Sequence, residues 1–157
     1  MDQPGLDQPD KQGEPTKRLR RWILWVLVLG LAGVEAELLL LEHYEDPWQL
    51  IPIILVALAA VVLIWQARQR DAASLLALRS IMVLFLIAGF LGLALHFRGA
   101  AQFQLEIDPA IGTWDLVGKV MRAKAPPLLA PGVMLQLGLI GLAYAFSDSR
   151  ANRSERP

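Results

Sequence analysis

Four apolar stretches, each long enough to cross a lipid bilayer, take up most of this 157-residue chain. They cover residues 22–41, 48–65, 80–97 and 128–146. A membrane-spanning helix needs about 20 mostly apolar residues, because each residue adds about 1.5 Å and the hydrocarbon core is about 30 Å thick. The sequence therefore predicts an all-α integral membrane protein, a four-transmembrane-helix bundle formed by residues 22–146.

Polar segments flank and interrupt the bundle. Residues 1–21 are rich in Pro, Gly and charged side chains and offer little apolar surface, so we expect a disordered tail. Residues 147–157 form a second polar tail. The longest connection, residues 98–127, joins the third span to the fourth. Its residues 102–107 alternate polar and apolar, which predicts a short extended piece.

A short amphipathic helix is predicted in this same connection, at residues 113–124. Its apolar side chains fall on one side of the helix, with charged side chains elsewhere; they are Trp114, Val117, Val120 and Met121. This pattern is typical of a helix that lies in the membrane interface. It fits equally a helix that covers the outer mouth of the bundle.

The connection between the first two spans is very short. Asp46 is predicted to cap the second helix, with Pro47 at its first position and Gln49 completing a capping box. The first two spans then form a tight antiparallel hairpin.

Positive charge is segregated along the chain, and this predicts the topology. If the N-terminus is cytoplasmic, eleven of the fifteen Lys and Arg residues lie on the cytoplasmic side. The other four are Arg98, Lys119, Arg122 and Lys124. Cytoplasmic flanks carry the excess of basic residues in membrane proteins. We therefore expect a multi-pass protein of a cell (inner) membrane, surrounded by membrane lipid, with both termini cytoplasmic.

Polar side chains near the outer end of the spans form the candidate site. Glu35 and Glu37 lie inside the first span, where a carboxylate costs roughly 2.5–3.5 kcal/mol at mid-membrane, so such groups usually face protein or water. Because successive helical residues turn by about 100°, the two point to opposite sides. His96 and Gln136 lie at a similar depth in the third and fourth spans.

Small residues precede three of these polar residues at helical spacing. Small residues let membrane helices approach closely, and they stand here at Gly30 and Gly33, at Ala88 and Gly92, and at Gly132. We therefore expect Glu37, His96 and Gln136 to lie on packing faces. Their layer is interpreted either as hydrogen bonds between helices or as a proton or ion site, because a carboxylate beside a histidine suits proton coupling.

Other chemistry has weaker support in the sequence. His43, His96, Glu42 and Glu45 suit a divalent metal as residue types but lack a paired spacing. Haem ligation by the two histidines is a second weak alternative, so no cofactor is predicted. The chain has no cysteine, which excludes disulfide and thiolate chemistry. It also lacks a GxSxG element, a phosphate-binding loop and a nucleic-acid-binding pattern.

These observations favour a protein that is not an enzyme. We expect an accessory, assembly or scaffold subunit of a larger membrane complex, in contact with other membrane proteins or with copies of itself. The alternative is a small homo-oligomeric proton-coupled transporter that uses the outer-leaflet Glu/His layer. Carriers that alternate access place such sites near the midplane of the membrane, and these glutamates lie near one face.

Overall fold

The computed structural model describes residues 13–42, 44–122 and 129–154, and within these residues the fold is entirely helical. This confirms the all-α prediction for the described part of the chain. The helices, in chain order, are α1 (Gly13–Leu40), α2 (Pro47–Gln69), α3 (Ala72–Ile107), α4 (Thr113–Met121) and α5 (Leu129–Ser154).

Three of these helices, α1, α2 and α3, are long and apolar enough to cross a membrane. The apolar part of α5, Pro131–Ser147, is shorter. Large apolar side chains point away from the protein along all three long helices: Leu29 is 75% exposed, Val61 62% and Phe90 64%. Contiguous apolar surface of this kind is unfavourable in water, so these helices suit a lipid environment.

The first and the last helix extend beyond their apolar stretches. α1 begins at Gly13, so residues 13–21 are helical where the sequence predicted a disordered tail, and residues 1–12 lie outside the described residues. α5 likewise continues to Ser154, through most of the second predicted tail. Basic and polar side chains are compatible with helix. An apolar stretch therefore indicates which part of a helix suits lipid, but it does not indicate where the helix begins or ends.

The extended piece predicted at residues 102–107 is wrong, because these residues complete α3. Six alternating residues are too few to distinguish a strand from a helix, and this segment contains the good helix formers Gln102, Gln104 and Glu106. The helix ends at Ile107, and its C-cap Asp108 directly precedes Pro109; a proline disfavours helical backbone in the residue before it. The whole helix has 36 residues and is about 54 Å long.

The predicted start of α2 is confirmed. Asp46 is its N-cap, and its Oδ1 accepts hydrogen bonds from the N–H groups of Trp48 (2.8 Å) and Gln49 (3.1 Å). Pro47 is the first helical residue. Gln49 Oε1 accepts from the N–H of Glu45 at 2.9 Å, so the second bond of the capping box reaches one residue further back than in the usual pattern.

The turn between α2 and α3 is closed by polar side chains. Arg70 ends α2 in a left-handed conformation (φ 50°), and Asp71 caps α3 by accepting from the N–H of Ser74 at 2.7 Å. Hydrogen bonds from the Ser74 side chain and N–H lower the pKa of Asp71. The Ser74 hydroxyl also lies within hydrogen-bond distance of Gln66 Oε1, and both side chains are buried.

The helices α1, α2, α3 and α5 pack in a ring. α1 contacts α2 and α5, and α3 contacts α2 and, most extensively, α5. Gly89 on α3 and Gly138 and Gly141 on α5 allow these two helices to approach closely. Leu27, Leu78 and Phe85 are among the fully buried side chains between the helices.

The helix predicted at residues 113–124 is found as α4, and residues 123 and 124 lie outside the described part. α4 contacts α3. Val120 is fully buried, whereas Trp114 is 86% exposed, so the predicted apolar side does not act as one face. Whether the exposed indole lies in a membrane interface stays a prediction.

Candidate functional site

A cavity of about 380 Å³ lies among α1, α2, α3 and α5, at the end of the molecule where α1 meets α2. We call this the α1–α2 end. Apolar side chains, including Leu38, Leu91 and Met134, form most of the cavity's lining. The polar side chains of the lining are Glu37, Asp46, Gln49 and His96.

Glu37 and His96, predicted to lie at the same depth on different helices, line this one cavity. Glu37 is close to the end of α1, and its carbonyl accepts a hydrogen bond from the N–H of Leu41 at 2.9 Å. His96 follows Gly92 by one turn on α3, and a Cβ at Gly92 would lie 3.4 Å from the Pro131 side chain. The small residue at position 92 therefore lets the start of α5 approach α3 beside the cavity.

Glu35 and Gln136 do not line the cavity. Glu35 is half-buried, and its Oε2 is shielded from solvent without a hydrogen-bond partner among the described residues. Gln136 is exposed on the surface of α5. The predicted polar layer thus divides into two cavity residues and two residues outside it.

The glycines explain why Gln136 lies outside. A Cβ at Gly138 or Gly141 would meet side-chain atoms of α3 within 3 Å, whereas a Cβ at Gly132 would meet nothing within 4 Å. The inward face of α5 therefore carries Gly138 and Gly141, and Gly132 and Gln136 share an outward face. α1 shows the same division: Gly30 packs against Leu137, but Gly33 is open.

The weak metal candidates do not form a cluster. Glu42 lies in the turn after α1 with a positive φ of 51°, Glu45 is exposed, and His43 lies outside the described residues. Within the described part of the chain, no three His, Cys, Asp or Glu side chains come together in a way that suits a metal ion.

Three cavity residues were missed as site residues by sequence reasoning. Asp46 and Gln49 were predicted only as elements of the helix start, and Trp48 only as the first residue of the second apolar stretch, yet all three line the cavity. Their position directly after the first span, beside Glu37 across a tight hairpin, was the available signal. The cavity thus combines two carboxylates, an imidazole, an amide and an indole, and none of the described lining residues is Lys or Arg.

The chain matches no protein-family model, no curated protein and no solved structure at a significant level.

Proposed function

We propose that this chain is a non-catalytic accessory or assembly subunit that binds a larger membrane protein through the outward face of α5. The observation that carries the proposal is the exposed amide of Gln136, which lies in the apolar segment Pro131–Ser147. Gly132, one turn earlier, leaves open space beside it. An amide on a lipid-facing helix surface lacks hydrogen-bond partners, and a second helix at this face supplies them.

The contrast between the two sets of glycines supports this interpretation. Gly89, Gly138 and Gly141 are used in contacts between α3 and α5. Gly33 and Gly132 have no neighbour within 4 Å of a Cβ. Small residues in membrane helices typically mark close helix contacts. An approaching helix from another protein would use Gly132 on α5, just as α3 uses Gly138 and Gly141 on the same helix.

In this proposal α5 is the fourth membrane span and both termini are cytoplasmic. Two cation–π contacts support the antiparallel course of α5 beside α1 and α3. The Arg20 guanidinium lies 5.1 Å from the centre of the Tyr144 ring, and that of Arg79 lies 4.8 Å from the Phe146 ring. The C-terminal part of α5 therefore meets the basic starts of α1 and α3, as the excess of basic residues on one membrane face requires.

The test is extraction of the tagged full chain from its native membranes in mild detergent, with the stoichiometry of the proteins that co-purify. We expect a larger membrane protein at a fixed ratio. Gln136→Leu should lower this ratio, because it removes the amide without changing the helix. Gln102→Leu is the matched control, since Gln102 is also exposed but lies on α3. Purification of the chain alone, or equal recovery of the protein with both variants, contradicts the proposal.

The shared cavity of Glu37 and His96 favours a second candidate, the small homo-oligomeric proton-coupled transporter. Its test is substrate-driven proton movement into vesicles that contain the purified chain. Glu37→Gln should abolish that movement if the candidate is correct. The position of the cavity at one end of the helices counts against it, because alternating access uses sites near the midplane.

A further inference from the structure

We propose that the cavity at the α1–α2 end binds a small organic cation, a molecule with an apolar body and one protonated-amine or quaternary nitrogen. The cavity volume of about 380 Å³ lies at the lower end of the range of small-molecule sites, about 300–1,000 Å³. Its composition also matches such sites, which combine mostly apolar walls with a few convergent polar groups. This inference is independent of the protein partner proposed above.

The charge of the lining selects a cation. Glu37 and Asp46 are both in the lining, and none of the described lining residues is Lys or Arg. Asp46 Oδ1 already accepts hydrogen bonds from two N–H groups at the start of α2. The positive end of that helix therefore partly balances the charge of the Asp46 carboxylate. Glu37 has no side-chain hydrogen bond or ion pair to the described residues, and it is therefore the carboxylate available to a ligand.

Trp48 and Pro52 add further groups that suit a cation. The indole of Trp48 is 63% exposed and lines the cavity, and the face of an indole is the best aromatic partner for an ammonium group. Pro52 has no N–H for the helical hydrogen bond to the carbonyl of Trp48. Both residues belong to the lining, and without the Pro52 N–H the carbonyl of Trp48 lacks its usual helical donor.

The apolar walls define the rest of the ligand. Leu38, Leu91 and Met134 come from three different helices and face the same space. A hydrated inorganic cation gains nothing from these walls, whereas an alkyl or aryl body buries apolar area against them. The required chemistry is present in a free lipophilic amine and also in the choline or ethanolamine headgroup of a lipid.

The experiment measures binding of hexyltrimethylammonium to the purified full chain in a neutral maltoside detergent, by isothermal titration calorimetry. We expect saturable binding, and we expect no binding of hexanesulfonate, which has the same alkyl chain and the opposite charge. Glu37→Gln should weaken binding about tenfold, and Trp48→Leu roughly two- to fivefold. Glu37→Asp keeps the charge and should bind more tightly than Glu37→Gln.

Glu106→Gln is the matched control, because Glu106 is an exposed carboxylate on α3 outside the cavity. It should bind like the unmodified chain. Competition with short-chain phosphatidylcholine but not phosphatidylglycerol identifies a lipid headgroup as the source of the cation, and no competition by either lipid identifies a free amine. Equal affinity of Glu37→Gln and Glu106→Gln, or equal binding of the sulfonate, overturns the proposal. Because binding is measured on the isolated chain, its outcome does not depend on whether a protein partner is found.

Discussion

The substitution Gly138→Ala tests the close contact between α3 and α5. A Cβ at this position would lie 2.8 Å from Leu86 Cδ2 and 3.0 Å from the carbonyl oxygen of Met82. Carbon atoms in favourable contact are about 3.5–4.0 Å apart, so the overlap with Leu86 is at least about 0.7 Å. The Leu86 side chain can rotate, but the Met82 carbonyl belongs to the backbone of α3. The two helices must therefore move apart.

The magnitude follows from comparison with Gly33→Ala, where a Cβ meets nothing within 4 Å. Both variants gain the same helix propensity, at most about 1 kcal/mol, because both glycines lie inside helices. Only Gly138→Ala also overpacks the core, which typically costs about 1–3 kcal/mol. The free energies of unfolding of the two variants should therefore differ by about 1–3 kcal/mol, with Gly138→Ala the less stable.

Unfolding in mixed micelles with increasing dodecyl sulfate, followed by far-ultraviolet circular dichroism, measures this difference. The unmodified chain provides the reference for both variants. If Gly138→Ala is as stable as Gly33→Ala, α3 and α5 do not approach closely at Gly138, and the assignment of an inward and an outward face to α5 fails with it.

Three further predictions concern the end of the molecule where α2 meets α3. Tyr144→Leu removes the ring beside Arg20 and should destabilise the chain by about 0.5–2 kcal/mol. Tyr144→Phe keeps the ring and loses only the 3.4 Å hydrogen bond from Arg20 to the tyrosine hydroxyl. The unfolding midpoints of the two variants measure the difference in stability. Ser74→Ala removes the hydroxyl that lies within hydrogen-bond distance of the buried Gln66 and should cost about 1 kcal/mol, measured in the same way. The lowered pKa of Asp71 means that its cap is fully stabilising above about pH 3.9 and is lost as the pH falls through the lowered value. Protection factors, which compare amide exchange with its slower intrinsic rate in acid, should therefore fall at the start of α3 as the pH is lowered, and Asp71→Asn should remove this pH dependence.

Local chemistry made several features predictable from the sequence. Residue hydropathy over about 20 positions is enough to indicate apolar helices, and α1, α2 and α3 lie where it placed them. The start of α2 was equally predictable, because Asp46 and Pro47 act on backbone groups within three residues of themselves. Such signals do not depend on any distant part of the chain.

The division of the polar layer was decided only by the tertiary structure. Helical periodicity gives the angle of each residue around its own helix, and of the two glutamates on α1 Glu37 lines the cavity whereas Glu35 does not. It gives no information about the rotation of one helix relative to another. The sequence grouped Gln136 with Glu37 and His96 by depth, but α5 turns Gly138 toward α3 and leaves Gln136 outside.

The sequence by itself determined the helical fold, its apolar segments and the cap at Asp46, because each depends on neighbours along the chain. The tertiary structure decided which glycines pack, and it also decided that Trp48 and Gln49 join Glu37 and His96 around one cavity. These outcomes depend on how all the helices fit together at once. Because close packing tolerates few voids and little overlap, the volume of side chains such as Met82 and Leu137 sets the rotation of each helix.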